Sequence, residues 1–93
     1  MPFKWDSQKA KANLRKHRVS FEEASTVFDD FLAKSWSDVE HSVGEERFQM
    51  IGMSEQDRLL LVCHCFRHGI VHIFSARKPT SAEAKRYQGG RHV

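Results

Sequence analysis

Three runs, Arg47 to Met53, Arg58 to Phe66 and Ile70 to Arg77, are joined only by Ser54-Glu55-Gln56-Asp57 and by Arg67-His68-Gly69. Each run is the length of a strand and carries β-branched, aromatic or other apolar residues at most positions. Links this short turn a chain back antiparallel to itself and leave no room for the crossover that parallel neighbours need. The simplest product is an antiparallel meander. Phe31 to Trp36 adds an edge strand before it, and the polar stretch Ser37 to Glu46, with its acids and Gly44, reads as an exposed loop.

Helices flank this sheet. Phe3-Lys4-Trp5 reads as a short opening strand, after which Asp6 or Ser7 caps a basic helix running to about His17. Lys9, Asn13, Lys16 and His17 recur at helical spacing on one face, with Ala10 and Leu14 as a narrow apolar stripe beside them. That polar face is either a site or a solvated surface. Ser20-Phe21-Glu22-Glu23 is a capping box, and Val19 and Ala24 are spaced as a hydrophobic staple. The second helix buries Phe21, Ala24, Val27 and Phe28 and ends at Asp29-Asp30. Thr80 to Glu83 is another capping box, opening a last helix that Gly89-Gly90 is expected to stop before a frayed tail of Arg91-His92-Val93. The expected fold class is α+β: two N-terminal helices, an antiparallel four-stranded meander sheet and a C-terminal helix, in two layers.

At 93 residues with 40% hydrophobic and 29% charged residues, the chain is expected to form a single domain, residues 1–93, with one modest core. The longest apolar run, Leu59 to Cys63, is far too short to span a bilayer, and the N-terminus lacks the apolar stretch of a signal peptide. Cys63 and Cys65, two apart on a strand, diverge too far for an easy disulfide, so a reducing, cytoplasmic setting is expected, with no membrane association. The net charge of +3 hides an asymmetry: residues 1–19 sum to +5, 20–57 to −8 and 58–93 to +6. If the basic ends meet, they make a concentrated positive field suited to phosphates.

Strand alternation selects candidate site residues. Arg47 shares a face with Gln49 and Ile51, and Arg77 with Ser75, Ile73 and Val71; both arginines lie at strand ends, placed to grip a phosphate. Cleavage of a phosphodiester without a metal needs a base, an acid and cations around the phosphorane. His17 is the leading candidate for proton transfer, since histidine titrates near neutrality, with Lys16 beside it and Tyr87 and Glu83 on the last helix as alternatives. Position alone equally allows His17 to be a helix-terminal histidine, and it favours Tyr87 as a core anchor of the last helix. Cys63-His64-Cys65, with His68 and His72 nearby, invites zinc, but His64 points opposite to both cysteines and no second ligand pair is spaced to complete a site. No metal and no cofactor is expected.

The order of these segments resembles the BrnT family of bacterial toxins. The resemblance rests on Phe3-Lys4-Trp5-Asp6, Lys9, Asn13, Lys16-His17, Val19 to Ala24, Val27-Phe28-Asp29, Glu46-Arg47-Phe48, Ile51-Gly52, Ile73 to Arg77, Glu83 and Tyr87. It implies a RelE-like fold and a ribonuclease toxin of a type II toxin-antitoxin pair, neutralised by a BrnA-like antitoxin with a ribbon-helix-helix DNA-binding domain. RNA would be the substrate, promoter DNA would be met only through the antitoxin, and a hetero-oligomer is expected. The resemblance supports Arg47 and Arg77 as phosphate contacts, with Lys16 and His17 contributing and Tyr87 less secure. A rival reading is a non-catalytic antitoxin-binding module that serves as transcriptional co-repressor.

Overall fold

The computed structural model describes residues 1–91, with side chains to residue 87. In chain order the elements are β1 (Phe3–Lys4), α1 (Ser7–His17), α2 (Phe21–Thr26) running into a 3-10 turn (Val27–Asp29), β2 (Lys34–Ser37), a second 3-10 turn (Val39–His41), β3 (Phe48–Met53), β4 (Leu59–Arg67), β5 (Ile70–Arg77) and α3 (Ser81–Arg91). The sheet order is β1-β5-β4-β3-β2. Strands β2 to β5 form the expected antiparallel meander, but the sheet has five strands and is mixed, because β1 pairs parallel to β5 through Phe3↔Val71 and Lys4↔His72. The short links forbid parallel pairing only between sequence neighbours; α1, α2 and three strands separate β1 from β5.

The helices do not share one side. Val19, Phe21, Ala24 and Val27 pack with Leu60, Val62, Val71, Ile73 and Ala76 on one face of the sheet. Tyr87 from α3 packs with Ile51 and Leu61 on the other, which makes a third, partial layer where two were expected. Helix α3 lies against β2 and β3, so this face stays open around the ends of β3 and β4 nearest the β4–β5 turn. No helix among the described residues is long and apolar enough to cross a membrane.

Local chemistry explains the boundaries. Asp6 Oδ1 accepts from Gln8 N (2.8 Å) and Lys9 N (3.0 Å) to start α1, and Arg18, at φ 59°, ends it. Ser20 Oγ accepts from Glu23 N (3.0 Å), but the Glu23 carboxylate turns away from the helix start, completing only half of the capping box. It is buried instead between Ser54 and Arg58, and ties α2 to the β3–β4 hairpin. Arg58 also donates to Arg18 O (2.9 Å), fixing the α1–α2 corner. Glu83 and Thr80 do form a reciprocal box, at 2.9 and 3.2 Å. Helix α3 continues through Gly89-Gly90 to Arg91, since glycine weakens a helix without forbidding it. His92 and Val93 lie outside the described residues. The edge strand begins later than expected, leaving Phe31 94% exposed.

Candidate active site

Two devices join α1 to β5. The first is Asn13, grouped by sequence with Lys9, Lys16 and His17 but buried in the structure. Its Nδ2 donates to Val19 O (2.9 Å) and Ala76 O (2.8 Å), and its Oδ1 accepts from Ala76 N (3.1 Å). Beyond the two residues that β1 covers, the side-chain amide thus stands in for a peptide group on the outer edge of β5. Asn13 is a structural clamp, and Lys9, Lys16 and His17 are carried past the sheet edge toward the open face.

The second device is a bulge. The β4–β5 register shifts between Cys63 and His64: Ser75 pairs with Cys63 and Ile73 with His64, leaving Phe74 as the extra residue. A bulge reverses the alternation on one side of itself. Val71 and Ile73 therefore face the core under α1 and α2, and only Ser75 shares the open face with Arg77, correcting the expected grouping. Phe74 is turned onto the open face, where Arg47 lies over its ring at 4.0 Å from the centroid, Lys9 at 5.4 Å and Arg67 at 5.8 Å.

The result is a cationic cleft. Its largest part, about 400 Å³, is lined by Lys4, Lys9, Arg47, Arg67, His72 and Phe74 among others. A second lobe, about 280 Å³, includes Lys9, Arg47, Phe74, Ser75, Asp38 and His41. A third, about 300 Å³, carries Lys9, Lys16, His17, Phe74 and Ser75. His17 and His41 thus border separate lobes that meet over the Phe74-Ser75 bulge.

The expected arginine pair does not converge. Arg47 precedes β3 on the open face, and Arg77 shares that face two strands away; by strand geometry their Cα atoms are about 16 Å apart. Arg77 is held by Glu83, with Nη1–Oε1 2.8 Å and Nη2–Oε2 2.9 Å. These bonds from Arg77 are the main reason the Glu83 carboxyl is held down to about 2, and they raise the arginine in turn. Arg67 is similarly engaged with Glu45, whose carboxyl is also lowered to about 2 by that bond.

Tyr87 is packed as a core anchor and lines none of these three lobes. It is 3% exposed, and its hydroxyl donates to Asp30 Oδ2 (2.7 Å), which also accepts from Met53 N (2.8 Å). Gly52 is required beside this network, because a Cβ there would come within 2.8 Å of both Ala33 Cβ and Val27 Cγ1. Cys65 is buried, which pushes its thiol up, and His64 is turned to the opposite face among Phe28, Phe48 and Phe66. Burial lowers the His64 imidazole.

Sequence reasoning passed over four contributors. Phe74 was hidden by the assumption of unbroken alternation, Lys9 was grouped with a buried asparagine, and Asp38 and His41 lay in a stretch read only as a loop. His41 Nδ1 is 2.8 Å from Asp38 Oδ2. Aspartate three residues before histidine was the available signal.

A family model described as the ribonuclease toxin BrnT of a type II toxin-antitoxin system matches residues 5–83. Among solved structures, the fold is similar to that of the Brucella abortus ribonuclease toxin BrnT, with a TM-score of 0.66 and 24% identity over 87% of this chain and 99% of that chain. No curated protein matches the sequence.

Proposed function

Because the chain belongs to the BrnT family of ribonuclease toxins of type II toxin-antitoxin systems, we propose that it is a metal-independent endoribonuclease whose active site is the cleft around Phe74. It acts as one domain in the cytoplasm and inhibits translation by cutting RNA. The observation that carries this reading is the gathering of Arg47 and Lys9, with the Glu45-paired Arg67 beside them, about one aromatic ring on an open sheet face. Such a field draws a phosphodiester in and opposes a divalent cation.

In the proposed reaction the 2′-hydroxyl attacks the adjacent phosphorus, giving a 2′,3′-cyclic phosphate and a 5′-hydroxyl. Arg47 stabilises the charge that builds on the phosphorane oxygens. His17, with Lys16 at the rim, serves the lobe where the leaving 5′-oxygen takes up a proton. Arg77, engaged by Glu83 and about 16 Å from Arg47 by strand geometry, meets a flanking phosphate of the same strand.

Membership of a toxin-antitoxin family implies an antitoxin partner. The proposed partner is BrnA-like, covers the positive cleft with an acidic or amphipathic segment, forms a hetero-oligomer with the toxin, and alone contacts promoter DNA.

The test is to incubate purified protein with RNA and a chelator, with and without ribosomes, and to determine the product ends. Cyclic phosphate ends that disappear with Arg47→Ala, and weaken with Arg77→Ala, are the expected result. Undiminished cutting by the double variant would remove the site assignment, and intact RNA under every condition would leave the co-repressor reading in its place.

A further inference from the structure

The cleavage proposed above needs a group to take the 2′-hydroxyl proton as well as one to supply the 5′-oxygen, and His17 fills one role. The geometry points to His41 as the general base, with Asp38 as its positioning residue; this inference rests on the nuclease reading.

The loop between β2 and β3 is built to hold this pair beside Arg47. Asp38 N donates to Arg47 O (2.7 Å), extending the β2–β3 ladder one residue beyond Ser37↔Phe48. The 3-10 turn then folds the chain so that His41 N reaches Asp38 O (3.2 Å). Ser42 Oγ closes the loop, donating to Asp38 O (2.6 Å) and accepting from Arg47 N (2.9 Å). The same hydroxyl therefore fixes the backbone of the aspartate and of the arginine.

The side chains divide their surroundings as a proton-transfer pair requires. The Asp38 side chain is 13% exposed and the His41 side chain 61%. With the carboxylate on Nδ1, the neutral ring keeps its proton there, and the Nε2 lone pair points away from Asp38. His41 borders the lobe that also holds Arg47, Lys9, Phe74 and Ser75. An exposed Asp–His pair contributes little to stability, so its shielded carboxylate and closed loop are poorly explained as a fold-stabilising contact.

In the step itself, Nε2 of His41 takes the proton from the 2′-hydroxyl. The O2′–P bond forms, the P–O5′ bond breaks, and the 5′-oxygen leaves with a proton from His17. Asp38 stabilises the imidazolium that forms and keeps the ring in the correct tautomer, without taking the proton itself. The two histidines end with their protonation states exchanged, and solvent restores them.

The experiment uses the full chain, a mixed-sequence RNA oligonucleotide, and the same oligonucleotide fully 2′-O-methylated as an uncleavable ligand. H41A is expected to lower kcat by about 10²- to 10⁴-fold while binding the methylated RNA within about twofold of wild type. Added imidazole should restore part of the rate. D38N is expected to lower kcat by about tenfold or more at unchanged KM. If H41A cuts within about threefold of wild type while R47A does not cut, the base assignment is overturned and the nuclease reading stands. An equal loss of cutting and of methylated-RNA binding in H41A would likewise overturn it, making His41 a binding residue. Wild-type protein that leaves the RNA intact would overturn both.

Discussion

Replacing Asn13 by alanine tests whether the outer edge of β5 depends on a side chain that imitates a strand. The Ala76 N–H loses its acceptor, and the carbonyls of Val19 and Ala76 each lose a donor, all in a buried setting. A buried polar group left without its partner costs about 1–3 kcal/mol, with an amide N–H costing more than an under-used carbonyl. One N–H at about 2 kcal/mol and two carbonyls at the low end sum to roughly 3–4 kcal/mol. For a domain of this size, 1 kcal/mol shifts Tm by roughly 4–8 °C, so N13A should melt about 15–25 °C below wild type.

Thermal and urea unfolding followed by circular dichroism would measure this. N13D separates the donors from the acceptor: it keeps an oxygen for Ala76 N–H but sets lone pairs against both carbonyls, so it should be no more stable than N13A. A fall in Tm of less than about 4 °C in N13A would refute the reasoning, because it would mean less than 1 kcal/mol is stored in the clamp. The clamp also bears on the cleft, since Lys9, Lys16 and His17 ride on the helix it fixes.

Phe74→Ala removes the face on which Arg47 rests. A cation–π contact at such a site contributes about 0.5–1 kcal/mol, so single-turnover cleavage of RNA should fall about two- to fivefold, and Phe74→Trp should retain the rate. An unchanged rate in F74A would show that the ring does not order Arg47. The Arg77–Glu83 pair gives a pH signature. Glu83 is held at about 2 against an ordinary 4.5, so its contribution is complete above about 4.5 and is lost as pH falls toward 2. Urea midpoints of wild type should therefore rise between pH 2 and 4.5. E83Q should lose part of that slope and not all of it, because Glu45 titrates in the same window. Parallel slopes for the two proteins would contradict the assignment.

The meander was legible because periodicity and link length act locally: three strand-length runs with short joins have few ways to fold. The capping signals worked for the same reason, fixing the starts of α1, α2 and α3. What escaped depended on contacts made across the chain. The opening strand at Phe3-Lys4 was legible, but not its parallel place on the edge of β5, because two residues carry no signal for the partner they pair with. The bulge at Phe74 gives no composition signal, yet one extra residue moved Val71 and Ile73 into the core and brought an aromatic ring out to the cations. Asn13 and Lys9 share a helical face by spacing, but one ends in the clamp and the other in the cleft.

The charge pattern makes the same point at the scale of the whole molecule. The acidic middle and basic ends suggested a surface divided by sign, but in the structure much of that charge is consumed in specific pairs. Arg58 is joined to Glu23, Arg67 to Glu45 and Arg77 to Glu83. A carboxylate partner orients a guanidinium and also cancels most of the field that an incoming phosphate would feel. Arg47 is oriented differently, by stacking on Phe74, and among the described residues it makes no ion pair within 4.0 Å. An aromatic face fixes the direction of a cation while leaving its net charge in place. Sequence could identify Arg47 and Arg77 as equivalent strand-end arginines; only their partners distinguish an arginine ready for an anion from one that must first release a carboxylate.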